Sequence, residues 1–259
     1  MNGEQISRLV VETIARLAPR LGADGRRGRL VVAFTGATAS LTEAVAECRL
    51  LVLDGYRLRV AFTPTAEQLF GSVVREGLEG FPHVEEIDAA DWLGELVEST
   101  AVVCPMLSVN TLSKLALLMA DGPVPNLLLH ALFMGRPLVL ARDGVDPAGA
   151  GRRALGFDQG TPALRQALDD RLRTVAGYGG HLTDARRLRA TLNAVLAGGA
   201  PAPVAAQPTG PLVTAADVRR AHRTGAVLDL SSRRLVTPLA RDLAAQLGVR
   251  LSHNGSEPQ

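Results

Sequence analysis

A repeated alternation constrains this chain more than any other feature of its sequence. Short, continuous apolar runs are each followed by a turn of small or polar residues, and then by a stretch with helical periodicity. The runs are Leu30–Phe34, Leu58–Phe62, a weaker Val84–Ile87, Ala101–Cys104 and Pro137–Ala141, which reads as the last clear strand. The helical stretches are Leu41–Leu53, one from Ala66 to about Arg75, Trp92–Ser99, Leu112–Ala120 and Val124–Met134. A strand that is apolar along its whole length must be covered on both faces. Parallel sheets wired by crossover helices are covered in that way. The predicted fold class is therefore α/β, a doubly wound parallel Rossmann-like sheet. Aromatic residues make up only 3% of a chain that is 47% hydrophobic, so the core must be built from Leu, Val and Ala.

The rest of the chain divides by composition. Residues 1–22 hold an amphipathic segment in which Ile6, Leu9, Val10, Ile14 and Leu17 share one face of a helix over 5–21. Residues 29–196 form the main ligand-binding domain, with 162–197 mostly helical. Residues 197–211, rich in Ala, Gly and Pro, read as a linker. Residues 212–259 form a small α+β module with helices at Ala215–Arg223 and Pro238–Leu247 and a short apolar stretch at Val227–Leu230. The sequence reads as free of internal repeats. A net charge of +2 is too small to point to nucleic acid or an anionic membrane. No apolar run reaches spanning length, and the N-terminal stretch lacks a signal-peptide pattern. Neither Cys48 and Cys104 nor the five scattered histidines show metal-ligand spacing. The expectation is a cytoplasmic protein with no metal.

In open α/β sheets, ligands bind beyond the carboxyl ends of the strands, where strand order reverses. Three turns fall at that edge. Thr35-Gly36-Ala37-Thr38-Ala39-Ser40 lets a ligand approach the backbone, and the amides at the following helix start favour an anion such as phosphate. It lacks the glycines of a dinucleotide fingerprint and could equally be an ordinary tight connection. Pro105-Met106-Leu107-Ser108-Val109-Asn110-Thr111 offers donors and acceptors at Ser108, Asn110 and Thr111, and Asn110 or Thr111 could also be an N-cap. In Thr63-Pro64-Thr65-Ala66, Thr65 could bond a phosphate or cap the next helix. Cys104 and Cys48 read as packing residues. Trp92 could stack on a ligand or serve the core or a subunit contact. Lys114, the only lysine, could pair with a phosphate or with a neighbouring acid.

These motifs carry a resemblance. Val102-Val103-Cys104-Pro105-Met106-Leu107-Ser108-Val109-Asn110-Thr111-Leu112-Ser113-Lys114 resembles the APxSANTxxK segment of the flavin-containing cysteine decarboxylases. That family includes phosphopantothenoylcysteine decarboxylase, the peptidyl-cysteine decarboxylases of lantibiotic synthesis and, more distantly, the dipicolinate synthase flavoprotein subunit. Phe34-Thr35-Gly36-Ala37-Thr38-Ala39 is similar to its TGSIAA turn and Thr63-Pro64-Thr65-Ala66 to its TPSA turn, in family order. The resemblance spans roughly residues 29–145. It implies an FMN site at a homotrimer interface. Gly36, Ala37 and Thr38 would approach the phosphate through backbone amides, and Thr63 and Thr65 would add phosphate contacts. Met106, Ser108, Asn110 and Thr111 would lie along the ribityl chain and ring. Ala37 stands where the family has serine, so one phosphate hydroxyl contact is lost.

Two departures bear on activity. The place of the family's catalytic histidine is held by Asp91, which could supply acid–base chemistry near pH 7 only with a strong shift. The family's PxMNxxMW substrate segment is replaced by Ala141-Arg142-Asp143-Gly144-Val145-Asp146-Pro147. A second resemblance links Leu212–Val218 and Leu235–Asp242 to a short module of bacterial microcompartment-associated proteins. The helix over 5–21 is similar to terminal helices of their cargo enzymes, although its apolar face could simply pack on the protein's own core. The implied function is an FMN-binding flavoprotein, an oxidoreductase or flavin-handling protein of a microcompartment pathway. It would be homo-oligomeric and would contact shell or cargo proteins through residues 5–21 or 212–251. The alternatives are a flavin-dependent decarboxylase with Asp91 as its acid–base group, and a non-enzymatic cargo scaffold.

Overall fold

A computed structural model describes residues 25–87, 91–198, 212–224, 227–230 and 235–252. The expected helix over 5–21 and most of the linker over 197–211 lie outside the described residues. The chain divides into two compact units, Met1–Ala200 and Pro201–Gln259.

In the first unit six parallel strands form one sheet: β1 (Gly28–Phe34), β2 (Tyr56–Phe62), β3 (Val84–Glu86), β4 (Ala101–Met106), β5 (Leu138–Ala141) and β6 (Gly180–Thr183). Their spatial order is β3-β2-β1-β4-β5-β6. The helices are α1 (Leu41–Leu53), α2 (Pro64–Leu78), α3 (Trp92–Glu98), α4 (Val109–Ala116), α5 (Pro123–Phe133), the short α6 (Ala150–Ala154), α7 (Pro162–Gly177) and α8 (Leu188–Leu196). Alternate strand residues feed two separate cores, as the two-residue period of a strand requires. Leu30, Val32 and Phe34 of β1 face one cluster with α1, α2 and α8. Val31 and Ala33 face the other, with Leu96 of α3, Leu112 and Leu115 of α4, and the apolar faces of α5 and α7. The result is the expected doubly wound sheet, with helices on both faces.

Three local readings are corrected. Residues 162–197 are mostly helical as expected, but Pro137–Ala141 is not the last strand, because β6 runs beside β5 with Leu138 opposite Gly180 and Ala141 opposite Thr183. At four residues (Gly, His, Leu, Thr), this edge strand carries no apolar run to announce it. Strand β4 continues through Pro105 and Met106 rather than stopping at Cys104. Its register with β1 shifts between Val32–Val103 and Phe34–Met106. A bulge leaves one residue unpaired, and Pro105, which has no N–H, falls within it. The helix after β4 begins at Val109, three residues before the expected start, and ends at Ala116.

A buried carboxylate ties α3 to the sheet. Glu95, 6% exposed, accepts from Arg29 Nη1 of β1 at 3.1 Å and from Arg59 Nε of β2 at 2.9 Å.

The second unit overturns the expectation of no repeat. It contains β7 (Leu212–Val213), α9 (Ala215–Thr224), β8 (Leu228–Asp229), β9 (Leu235–Val236), α10 (Pro238–Leu247) and β10 (Leu251–Ser252). β7 pairs in parallel with β9, Leu212 opposite Leu235, and β8 with β10, Leu228 opposite Leu251. Both pairings join residues 23 apart. The unit is thus two copies of one strand–helix–strand element, each opening on Leu-Val-Thr. Thr214 donates its amide and hydroxyl to Asp217 Oδ2, at 2.9 and 2.8 Å, and Thr237 accepts from the Ala240 amide at 3.2 Å. Both copies contribute to one core of Val213, Val218, Ala221, Leu228, Leu230, Ala240 and Ala244.

Removing the Glu95 carboxylate would take from Arg29 and Arg59 the buried partner they share, leaving Glu98 on Arg29 and Glu85 on Arg59. Glu95→Ala should cost about 2 to 3 kcal/mol, the low side of a broken buried pair because both arginines keep some solvent. A urea unfolding midpoint measures this, and an unchanged midpoint would show that the triad does not hold α3.

Candidate functional site

Strands β1 and β4 lie side by side, but the helices that follow them pack on opposite faces of the sheet. The chain therefore diverges beyond their carboxyl ends, and a cavity of about 880 Å³ opens there. Its lining includes Gly36, Ala37, Thr38, Thr63, Thr65, Ser108, Asn110 and Thr111. All three turns singled out in the sequence thus meet at one cavity.

One buried hydroxyl sets their spacing. Thr35, with no exposure, donates from Oγ1 to the Met106 carbonyl at 2.6 Å and accepts from the Ser108 amide at 2.7 Å. Ser108 Oγ in turn accepts from the Thr111 amide at 3.2 Å and donates to Thr111 Oγ1 at 3.1 Å. Ser108, rather than Asn110 or Thr111, is therefore the N-cap of α4. Asn110 is exposed on the lining. In the third turn Thr63 caps α2 by accepting from the Ala66 amide at 3.2 Å, which leaves Thr65 exposed on the cavity wall without a capping role.

The first turn approaches its neighbours closely. A Cβ on Gly36 would lie 2.7 Å from Thr65 Cγ2. The Ala37 amide is engaged by the Thr35 carbonyl at 2.6 Å. Ser40, at the N-cap of α1, adopts a left-handed φ of 65° and places no side chain on the helix amides. Its hydroxyl donates instead to Asp143 Oδ1 at 3.1 Å, and Asp143 Oδ2 accepts from the Ala185 amide at 2.7 Å. Burial pushes the Asp143 carboxyl above its ordinary value, and these two hydrogen bonds oppose the shift without cancelling it.

Two expected residues fall elsewhere. The Met106 side chain is buried, 1% exposed, in the core beneath the turn and is not part of the lining. Only its carbonyl takes part, through Thr35. Asp91 is exposed at the start of α3, makes no capping bond and does not line the cavity. Trp92 packs against His130, with ring centroids 4.9 Å apart. Lys114 pairs with Asp121 at 2.8 Å, and both line the cavity.

The segment after β5 was missed as a wall of the site. Gly144, Arg152, Leu155 and Phe157 line the cavity. A Cβ on Gly144 would lie 2.7 Å from both Ala37 Cβ and the Leu107 carbonyl oxygen, so only glycine lets this loop lie against both turns. The signal available in the sequence was a run of small residues, Gly144 to Gly151, directly after a strand.

Both thiols are buried, and burial pushes Cys48 and Cys104 up to about 12. Among the described residues no cluster of His, Cys, Asp or Glu could hold a metal ion, and no helix is long and apolar enough to cross a membrane.

Two outcomes follow from this geometry. Thr35→Val leaves the buried Ser108 amide and Met106 carbonyl without their partner and should cost about 1 to 3 kcal/mol, whereas Thr35→Ser should recover most of it. Denaturant unfolding of the three proteins decides this, and a Thr35→Val protein as stable as wild type would show that the hydroxyl does not hold the two turns. A carboxyl raised in the folded state adds stability below its unfolded value, near ~4, and loses it as pH rises through the folded value. Asp143→Asn can still offer oxygen to Ala185 and nitrogen to Ser40. It should therefore lessen the decline in stability as pH rises through that window. An identical pH profile for variant and wild type would refute the assignment.

With this geometry in place, the comparisons with known proteins are direct. The family model described as Flavoprotein matches residues 21–152, just over half of the 259-residue chain. No curated protein matches the sequence. Among solved structures, the apo form of DmrB from Burkholderia xenovorans, described as a cubic protein cage for redox transfer, is 18% identical. That match covers 66% of this chain and 96% of that one, with a TM-score of 0.52. The FMN-dependent cysteine decarboxylase TvaF of thioviridamide biosynthesis is 22% identical over 66% of this chain and 99% of that one, with a TM-score of 0.49. Phenylacrylic acid decarboxylase from Aquifex aeolicus is 16% identical over 65% and 96%, also at 0.49. At these identities the likeness is one of fold, and the family model carries the assignment: the chain belongs to the flavoprotein family.

Proposed function

We propose that this protein binds FMN in the cavity at the carboxyl ends of β1, β2 and β4 and serves as an oxidoreductase or flavin-handling protein. The observation that carries the reading is the cavity at the reversal of strand order, lined by the turns that Thr35 holds in register. Its volume suits a ligand of flavin size. Gly36, Ala37 and Thr38 would face the phosphate, with Thr63 and Thr65 beside them. Ser108, Asn110 and Thr111 would lie along the ribityl chain and ring. Bound there, the isoalloxazine would supply electron-transfer chemistry, while the protein supplies orientation and electrostatics.

The charged groups of the lining favour this reading over a decarboxylase. The hydrogen bond from Arg75 holds the Glu86 carboxyl below its usual range, and that from Lys114 does the same for Asp121. Glu67 is held by Arg75 at 2.8 Å. These carboxylates are engaged as anions rather than poised to move a proton near neutral pH. No histidine occurs among the described lining residues, and Asp91 stands outside them.

Self-association is part of the proposal. Leu69 and Val73 of α2, Leu117, Leu118 and Phe133 are all exposed, the kind of surface that assembly covers. The microcompartment assignment rests on the resemblances of the second unit and of the helix expected over 5–21. The second unit, which has its own core, would make the attachment to shell or cargo.

The test is one reconstitution with FMN, read by the visible isoalloxazine spectrum during size-exclusion light scattering. The wild type should retain flavin and elute as an oligomer. Asp91→Ala, and a chain lacking residues 205–259, should retain flavin equally. A protein that takes up no flavin from excess FMN would end the proposal, and carbon dioxide release from a cysteinyl substrate that is lost in Asp91→Ala would restore the decarboxylase reading.

A further inference from the structure

Three cationic side chains line the cavity among the described residues: Arg75, Lys114 and Arg152. The first two are matched. Arg75 pairs with Glu67 and Glu86, and Lys114 with Asp121. Arg152 has no carboxylate partner among the described residues. Its Nη1 donates to the Gly144 carbonyl at 3.0 Å and its Nη2 to the Phe157 carbonyl at 3.2 Å, and the guanidinium lies 5.7 Å from the centre of the Phe157 ring. Its Nε is buried with no hydrogen-bond partner. Carbonyls satisfy protons but do not cancel charge, so a cation held in this way is incomplete without an anion. Two carbonyls and a ring also fix the guanidinium plane, which lowers the cost of engaging a ligand.

The place of this cation identifies the anion. Gly144, whose carbonyl holds Nη1, abuts Ala37. Gly151, next to Arg152 in the chain, abuts Ala39, to which its Cβ would come within 3.0 Å. Arg152 is therefore anchored to the residues that touch the Thr35–Ser40 turn, whose own resources for an anion are limited. Position 37 carries no hydroxyl, its amide is engaged by the Thr35 carbonyl, and Ser40 turns away to Asp143. The acids of the lining belong to α2, β3 and the link between α4 and α5. The charge pattern would thus orient a ligand with its anionic end towards the segment after β5.

Resting on the flavin reading above, we infer that Arg152 binds the flavin's phosphate and selects FMN over riboflavin, taking the part that a hydroxyl at position 37 would otherwise play. A phosphomonoester carries about −1.5 to −2 charge and three acceptor oxygens, which suits a planar guanidinium with free N–H groups.

The test titrates FMN and riboflavin separately into the full chain, followed by quenching of flavin fluorescence, for wild type, Arg152→Met and Arg152→Lys. Riboflavin keeps the ring and ribityl chain and lacks only the phosphate, so it is an internal control for the integrity of the cavity. Wild type should prefer FMN. Arg152→Met should weaken FMN about 10- to 100-fold and leave riboflavin within about twofold, with Arg152→Lys between the two. Added inorganic phosphate should weaken FMN binding in wild type and have little effect in Arg152→Met. Equal loss of both flavins would mean that Arg152 only braces the Gly144 and Phe157 carbonyls, and would overturn the inference. FMN and riboflavin affinities both left at their wild-type values in Arg152→Met would also overturn it, because the cation would then not touch the phosphate. If wild type binds neither flavin, the functional reading itself fails, a result distinct from either of these.

Discussion

The site depends on what happens where β1 and β4 part. Their neighbouring carboxyl ends send chain to opposite faces of the sheet, so backbone hydrogen bonding between them must stop. Thr35 replaces it with one side chain, whose hydroxyl donates to the Met106 carbonyl and accepts from the Ser108 amide. Because the group is fully buried, water cannot take over either bond, and losing one would strand a polar group. The bond at Ser108 also places the residue whose own hydroxyl caps α4. A single threonine thus sets the width of the crevice and the starting point of the helix that forms one of its walls.

The segment after β5 closes the remaining side by a different means. It has few polar ties to the first turn and relies on the absence of side chains. Gly144 fits between Ala37 and the Leu107 carbonyl, and Gly151 lies against Ala39. Asp143 is the exception, joining Ser40 to Ala185. Close packing of small residues holds the loop against the turn without filling the cavity. It also places Arg152 there, because the helix that carries Arg152 starts at the end of this tight approach.

How legible each part was in the sequence follows from how local its cause is. Strands β1, β2, β4 and β5 and their turns could be read because burial on both faces demands runs such as Leu30–Phe34, and the turns at Thr35–Ser40 and Thr63–Ala66 follow those runs directly. Strand β6 could not be read, because Gly180 and Thr183 belong to the sheet only through their pairing with β5. The capping role of Ser108 and the inward placement of Met106 depend on a bulge in β4 and on Thr35, which lies 73 residues before Ser108. The approach of Gly144 to Ala37 and Leu107 was unreadable for the same reason, since those neighbours are distant in sequence and only the small residues from Gly144 to Gly151 hinted at it. The duplication in the second unit was present in the letters as two Leu-Val-Thr triplets. Their register across β7 and β9 makes it unmistakable, whereas so short a match is weak in one dimension.

The balance of charge in the cavity bears on what the site can do. The lining acids are Glu67, Glu86 and Asp121, and each is matched to Arg75 or Lys114, so none is a spare base. The two thiols are locked in the core in their protonated form. Such a lining supplies shape, backbone donors and hydroxyls, and it leaves reactivity to whatever occupies it. Catalysis by a site of this kind would come from positioning a reactive group and excluding water, not from proton traffic through side chains. That is a coherent arrangement for a family whose members hold a cofactor with its own chemistry. Asp91 lies outside the cavity, and none of the lining's ion pairs involves it.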